Sequence, residues 1–179
     1  GITISEMDMK ATNAEGKNEQ TLKASYKCDG ENFIMDMASF LNNKKQGSTI
    51  STSGLLFPLS LKAGQLLPNA KHEMNISSGN SQMKLVSLIK ERKVEARESI
   101  TIPAGTFTAY KISSVVEANT ESPGMTEEMK KSMESVRANM PKPRFIVWYA
   151  PELTVLKMEM YLGENLVSRT EVTNIKEKK

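Results

Sequence analysis

Leu22-Lys23-Ala24-Ser25-Tyr26-Lys27-Cys28-Asp29-Gly30 decides the fold class of this 179-residue chain. Leu22, Ala24, Tyr26 and Cys28 point to one side of an extended backbone while Lys23, Ser25 and Lys27 point to the other, the pattern of a half-buried strand. Asp29-Gly30 can supply the two positive φ angles of a tight hairpin turn. Phe33, Met35 and Met37 open a second alternating run, so an antiparallel pair is expected.

The same signals recur outward from this hairpin. Asn42 to Gly47, Ser78-Gly79-Asn80-Ser81 and Gly163-Glu164-Asn165 carry hairpin-turn chemistry at the intervals of an all-β chain. Val94, Ala96, Ile100 and Ile102 alternate with Lys93, Glu95, Arg97, Ser99 and Thr101. Pro103-Ala104-Gly105 turns the chain, and Phe107, Ala109 and then Tyr110, Ile112 form the return strand. Phe145 to Ala150, Val155 to Leu162 and Leu166 to Ile175 complete the sheet. Roughly nine to eleven strands of this length twist and coil. The expected fold is therefore mainly β, a curved antiparallel sheet forming a half-barrel or partly open barrel, within a single β domain over residues 1–179.

One stretch departs from period two. Met125, Met129, Met133, Val136 and Met140 fall at spacings of four, four, three and four, which is one face of a helix. Thr126 can cap its start, Glu127 and Glu128 suit the N-terminal dipole, and Pro141 with Pro143 stops it. The spacing predicts one amphipathic helix over about 126–140, inserted at 125–141 between late strands and packed across the open side or end of the sheet.

Composition narrows the function classes. A net charge of +3, with 24 Lys and Arg interspersed among 21 Asp and Glu, leaves no basic stripe for a nucleic-acid backbone. Lys90 to Lys93 and Lys176 to Lys179 read as a solvated strand edge and a frayed terminus. The single cysteine, Cys28, has no partner for an internal disulfide and reads as a small buried apolar group. No stretch approaches the ~20 apolar residues of a transmembrane helix. The chain opens at Gly1 without Met, so a leader is expected to have been removed.

Catalytic motifs are lacking. The one histidine, His72, would have to anchor any Ser-His-Asp triad alone, there is no Gly-x-Ser-x-Gly elbow, and His72 reads as a plain exposed residue. Ser87-Leu88-Ile89-Lys90 matches Ser-x-x-Lys, but on a strand positions i and i+3 face opposite sides. Asp8, Asp36, Glu98, Glu117 and Glu159 show no glycosidase spacing. Among 12 methionines, Met7/Met9, Met35/Met37 and Met158/Met160 each place two thioethers on one strand face. Soft Cu(I) could use such pairs, yet without neighbouring cysteine or histidine they read as core filling or an adaptable apolar groove. No enzymatic activity, metal or cofactor is expected.

Ile102-Pro103-Ala104-Gly105-Thr106-Phe107-Thr108-Ala109-Tyr110-Lys111-Ile112 resembles exported bacterial proteins of the domain of unknown function 3108 family. Trp148-Tyr149-Ala150-Pro151 followed by Leu156-Lys157-Met158-Glu159 is similar to a late segment of that family. Phe57-Pro58 and Leu61-Lys62-Ala63-Gly64-Gln65-Leu66-Leu67-Pro68 are similar to its mid-chain segment. This chain departs from the pattern at Glu152-Leu153-Thr154-Val155, where the family has glycines, and the 125–141 helix looks like an insertion. The resemblance implies an exported protein, periplasmic or outer-membrane-associated through a lipid anchor, with a sheet similar to lipoprotein-carrier half-barrels. It implies no activity.

The expectation for function is a binding or scaffolding module of the bacterial cell envelope. In it the concave sheet face and the helix form a groove for a lipid-like or apolar ligand or an envelope-protein segment, lined by Trp148, Tyr149, Met158, Met160, Met129 and Met133. The alternative is a structural or assembly protein that contacts an envelope partner and takes no small ligand. Alternation states which residues share a face, not whether that face is filled, and it leaves the oligomeric state open.

Overall fold

The computed structural model describes residues 3–28, 30–36, 48–52, 55–78, 81–121, 125–151 and 153–176. The first six strands are β1 (Thr3–Asn13), β2 (Gln20–Cys28), β3 (Asn32–Asp36), β4 (Ser48–Thr52), β5 (Leu55–Pro58) and β6 (Ala70–Ser78). Two long strands, β7 (Ser81–Ile102) and β8 (Gly105–Glu121), precede the helix α1 (Glu127–Ala138). The chain closes with β9 (Pro143–Ala150), β10 (Thr154–Leu162) and β11 (Asn165–Lys176). All eleven strands join one sheet in the order β4-β6-β7-β8-β9-β10-β11-β1-β2-β3-β5. Every ladder in it is antiparallel.

The sheet curls almost onto itself. In a flat sheet six strand spacings would separate edge strand β5 from β9, about 29 Å. Instead the Phe57 ring of β5 stacks on Tyr149 of β9 with 4.9 Å between centroids. The chain itself draws the edges together, because Thr52 ends β4 and Leu55 opens β5, and three residue steps span at most about 11 Å. Yet β4 pairs with β6 and β5 with β3, and no ladder among the described residues joins the two edges. The result is a partly open barrel.

Several turns fall where the sequence places them. Ile102 faces Gly105 across Pro103-Ala104, and Leu162 faces Asn165 across Gly163-Glu164, with Gly163 at φ 62°. Ser78 faces Ser81; Gly79 and Asn80 between them, like Asp29 and Met37, lie outside the described residues. One turn expectation is corrected. Cys28 sits opposite Phe33, so the β2–β3 connection is longer than Asp29-Gly30 alone. Asn42 to Gly47 also lies outside the described residues.

The inward set of the strands forms one apolar core. Met9, Tyr26, Met35, Phe57, Tyr149, Val155, Leu156 and Val172 are almost wholly buried, and Met7 joins them. The thioethers thus fill gaps between aromatic rings, as at Met9, whose Sδ accepts the Tyr26 hydroxyl at 3.8 Å. Cys28 is half-buried against this core rather than enclosed by it. A bulge at Thr173, between the pairs Met9–Val172 and Asp8–Asn174, accompanies a tie from the β7–β8 turn: Ala104 N donates to the Val172 carbonyl at 3.2 Å.

The helix forms within its expected bounds, with Thr126 as cap: its hydroxyl accepts from Met129 N at 3.2 Å. Its expected packing across the sheet is corrected. No residue of α1 is buried, and Met129, Val136 and Met140 are 53%, 59% and 57% exposed. The far end of β8 offers polar partners, Arg137 donating to Asn119 Oδ1 at 2.7 Å, so the helix leans on that strand end instead of covering an apolar face. Thr126→Ala should remove about 1 kcal/mol of capping. Because the helix buries nothing in the core, the loss should appear as roughly fivefold faster amide exchange within α1, with the global unfolding midpoint unmoved. A global loss of the same size would refute that independence.

Candidate ligand cavity

The centre of the inner face is not filled. A cavity of about 150 Å³ opens to solvent there. Its apolar wall comes from both arms of the curled sheet: Met35 and Phe57 on one side, Ile112, Val147, Val155 and Met158 on the other. Cross-strand register explains the shared face, since Ile112, Val147 and Met158 are successive partners across β8, β9 and β10. A void of this size with apolar walls can hold a benzene-sized group.

Four polar side chains interrupt the wall: His72, Ser87, Arg92 and Ser114. Arg92 reaches it through a β-bulge. Lys90 pairs with Val115 and Lys93 with Ser113, so Glu91 and Arg92 together oppose Ser114; Glu91 stays exposed and Arg92 takes the inward-facing position. Glu91 absorbs the distortion at φ 53°, a conformation that non-glycine residues rarely adopt. Arg92 is thereby turned inward and left 5% exposed. This corrects the reading of Lys90 to Lys93 as a solvated edge. Its guanidinium donates to the carbonyls of Pro68 at 3.0 Å and Leu56 at 2.9 Å, and lies 5.6 Å from the Phe57 centroid. The side chain therefore bridges the open seam of the barrel, from β7 to β5 and to the segment that precedes β6.

His72 is likewise not the exposed residue expected. It is 8% exposed, paired across from Ser87, and its Nε2 has no hydrogen-bond partner. Burial pushes its pKa below the ordinary histidine value, so the ring is neutral at pH 7. Burial also lowers the Arg92 pKa, although a guanidinium stays charged at any physiological pH.

The structure distributes the six sequence-selected groove residues over three places. Met158 lines the cavity. Met160 pairs with Phe145 one inward position further along β10, beyond the cavity wall. Tyr149 is fully buried beneath Phe57 and Phe33. Trp148 faces the opposite side of the sheet, where its cross-strand partners are Lys111 and Lys157, its Nε1 donates to Glu98 at 2.6 Å, and the Lys157 ammonium lies 4.5 Å from its ring. Met129 and Met133 sit on α1, Met133 beside the Asn119–Glu121 end of β8.

Two solved structures share this architecture. A protein from Bacteroides fragilis, inferred to be exported and described as having a YmcC-like fold, aligns over 97% of this chain and 95% of its own at 17% identity, with a TM-score of 0.65. A protein from Parabacteroides distasonis, inferred to be a lipoprotein, aligns over 96% of this chain and 94% of its own at 19% identity, with a TM-score of 0.64. No functionally curated protein matches the chain. The model of the DUF3108-like family matches residues 2–172, nearly the whole sequence, and the chain belongs to that family.

Proposed function

We propose that this chain is an exported, non-catalytic binding module of a bacterial cell envelope, periplasmic or outer-membrane-associated, that takes a lipid-like or other apolar ligand in the cavity of its curled sheet. The observation that carries the reading is the unfilled apolar cavity between Phe57 and Met158, in a fold whose remaining inward side chains pack closely. Export draws support from the descriptions of the two structural neighbours as exported protein and lipoprotein.

Native mass spectrometry of the protein purified from its own envelope should show a co-purifying apolar mass. Val147→Trp should fill the cavity and weaken binding of the neutral probe N-phenyl-1-naphthylamine at least tenfold, at an overpacking cost of about 1–3 kcal/mol. Unchanged probe binding in a folded variant would refute the site. A second reading, a scaffold that docks an envelope partner without a small ligand, draws on the exposed Met129 and Val136 of α1 and Met140 just beyond it. In that case the purified mass should be that of the bare chain.

A further inference from the structure

An apolar ligand would do nothing for the charge built into the cavity wall. Arg92 is nineteen-twentieths buried, and among the described residues no carboxylate forms an ion pair with it. Carbonyl dipoles and an aromatic face soften the burial of a cation without neutralising it. The seam uses two of the five guanidinium N–H donors, and three remain. His72 presents a second unused polar atom, Nε2, and Ser87 and Ser114 add hydroxyls to the same wall. A buried cation, an unpartnered imidazole nitrogen and two hydroxyls around an otherwise apolar void match one ligand chemistry: an oxyanion carried on a hydrocarbon.

We propose, resting on the apolar-cavity reading above, that the ligand is a single-chain amphiphile with an anionic head. The head oxygens take the free N–H donors of Arg92, and the chain runs along Met35, Val147, Val155 and Met158. The planar guanidinium fork accepts a carboxylate or a phosphate monoester equally well in geometry. A void of about 150 Å³ admits one short chain rather than the paired chains of a diacyl lipid, and a longer chain leaves through the open side.

Calorimetric titration of the full chain with sodium octanoate, octyl phosphate and 1-octanol, each below its aggregation threshold, tests this directly because the three probes share one chain. At least one anion should bind tenfold or more tightly than octanol, and the tighter anion identifies the head as carboxylate or phosphate. Arg92→Met, which keeps the bulk and removes the fork, should abolish that preference, the anions falling to the affinity of octanol. Octanol binding as tightly as both anions overturns the anionic head but leaves the apolar cavity standing. No binding of any of the three at millimolar concentration overturns both. A folded Arg92→Met variant that keeps the preference overturns the role of Arg92. Should that variant not fold, the three probes on the unaltered chain still decide whether the head is anionic.

Discussion

Replacing Tyr149 by alanine is expected to lower the unfolding free energy by about 4 kcal/mol, the upper range for deleting an aromatic side chain from a core. The ring is fully buried and joins the two arms of the sheet: Phe57 of edge strand β5 stacks on it at 4.9 Å, and Phe33 of β3 lies 6.1 Å away. Its removal opens a void where no neighbour can collapse without moving a strand. The hydroxyl tells a different story. It is buried without a hydrogen-bond partner, and burial raises its pKa far above the ordinary phenol value, so it remains protonated. Tyr149→Phe deletes an unsatisfied polar atom and keeps the ring, and should be neutral or stabilising by up to about 1 kcal/mol. Urea denaturation of the two variants gives the comparison. A loss near 2 kcal/mol for phenylalanine would mean that the hydroxyl has a partner in the fold, and a loss of less than 2 for alanine that the ring is not what pins β5 across the barrel.

Period two in the side chains carried the architecture from sequence to structure. Leu22 to Met35 specified an antiparallel pair, and Phe145 to Ile175 specified three more strands in order. What alternation could not state was the long-range order of the strands, because β4 and β5 are separated by two residues yet occupy opposite edges of the sheet. Only the curl that brings Phe57 onto Tyr149 reconciles the two facts.

The cavity was legible in part. Ile89 and Val94 face the same interior although they lie five positions apart, an odd interval that a regular strand forbids. That phase break marks a bulge, and a bulge re-aims a side chain; read this way, it singles out Arg92. Nothing comparable marks His72, whose strand neighbours Lys71 and Glu73 make it look solvated. The methionine spacing placed α1 on the right residues, but a stripe of apolar side chains records only what a helix could bury. Arg137 and Asn119 fixed the helix to the polar end of β8 instead, away from the cavity. Trp148 failed as a groove residue for a simpler reason: Tyr149 and Trp148 are adjacent on one strand, so they face opposite sides, and the ring stack commits Tyr149 to the interior.

The outer face holds its own buried charge, and Glu159→Gln should cost about 2–3 kcal/mol at pH 7. Glu159 is 5% exposed and accepts from the Tyr161 hydroxyl at 2.7 Å and Arg169 Nε at 2.9 Å, with Lys157 Nζ at 2.9 Å. Burial alone would raise its pKa; the Tyr161 hydroxyl, Lys157 and Arg169 outweigh it and hold the carboxyl below the ordinary glutamate value. A folded-state pKa below the unfolded one contributes stability that is complete above the ordinary glutamate range and is lost as pH falls through the folded value. The gap between wild type and Glu159→Gln should therefore be constant from pH 8 to about 5 and narrow below about 4. The cost stays below that of a fully enclosed ion pair, because the Arg169 side chain is 43% exposed and Lys157 can turn to Glu171, already 3.9 Å away. That turn would draw the ammonium from the Trp148 face, where it sits 4.5 Å from the ring. Trp148 is the only tryptophan, so its fluorescence reports the rearrangement directly. A pH-independent stability gap, or an emission spectrum identical to wild type, would show that Glu159 neither bears its charge in the fold nor holds Lys157 in place.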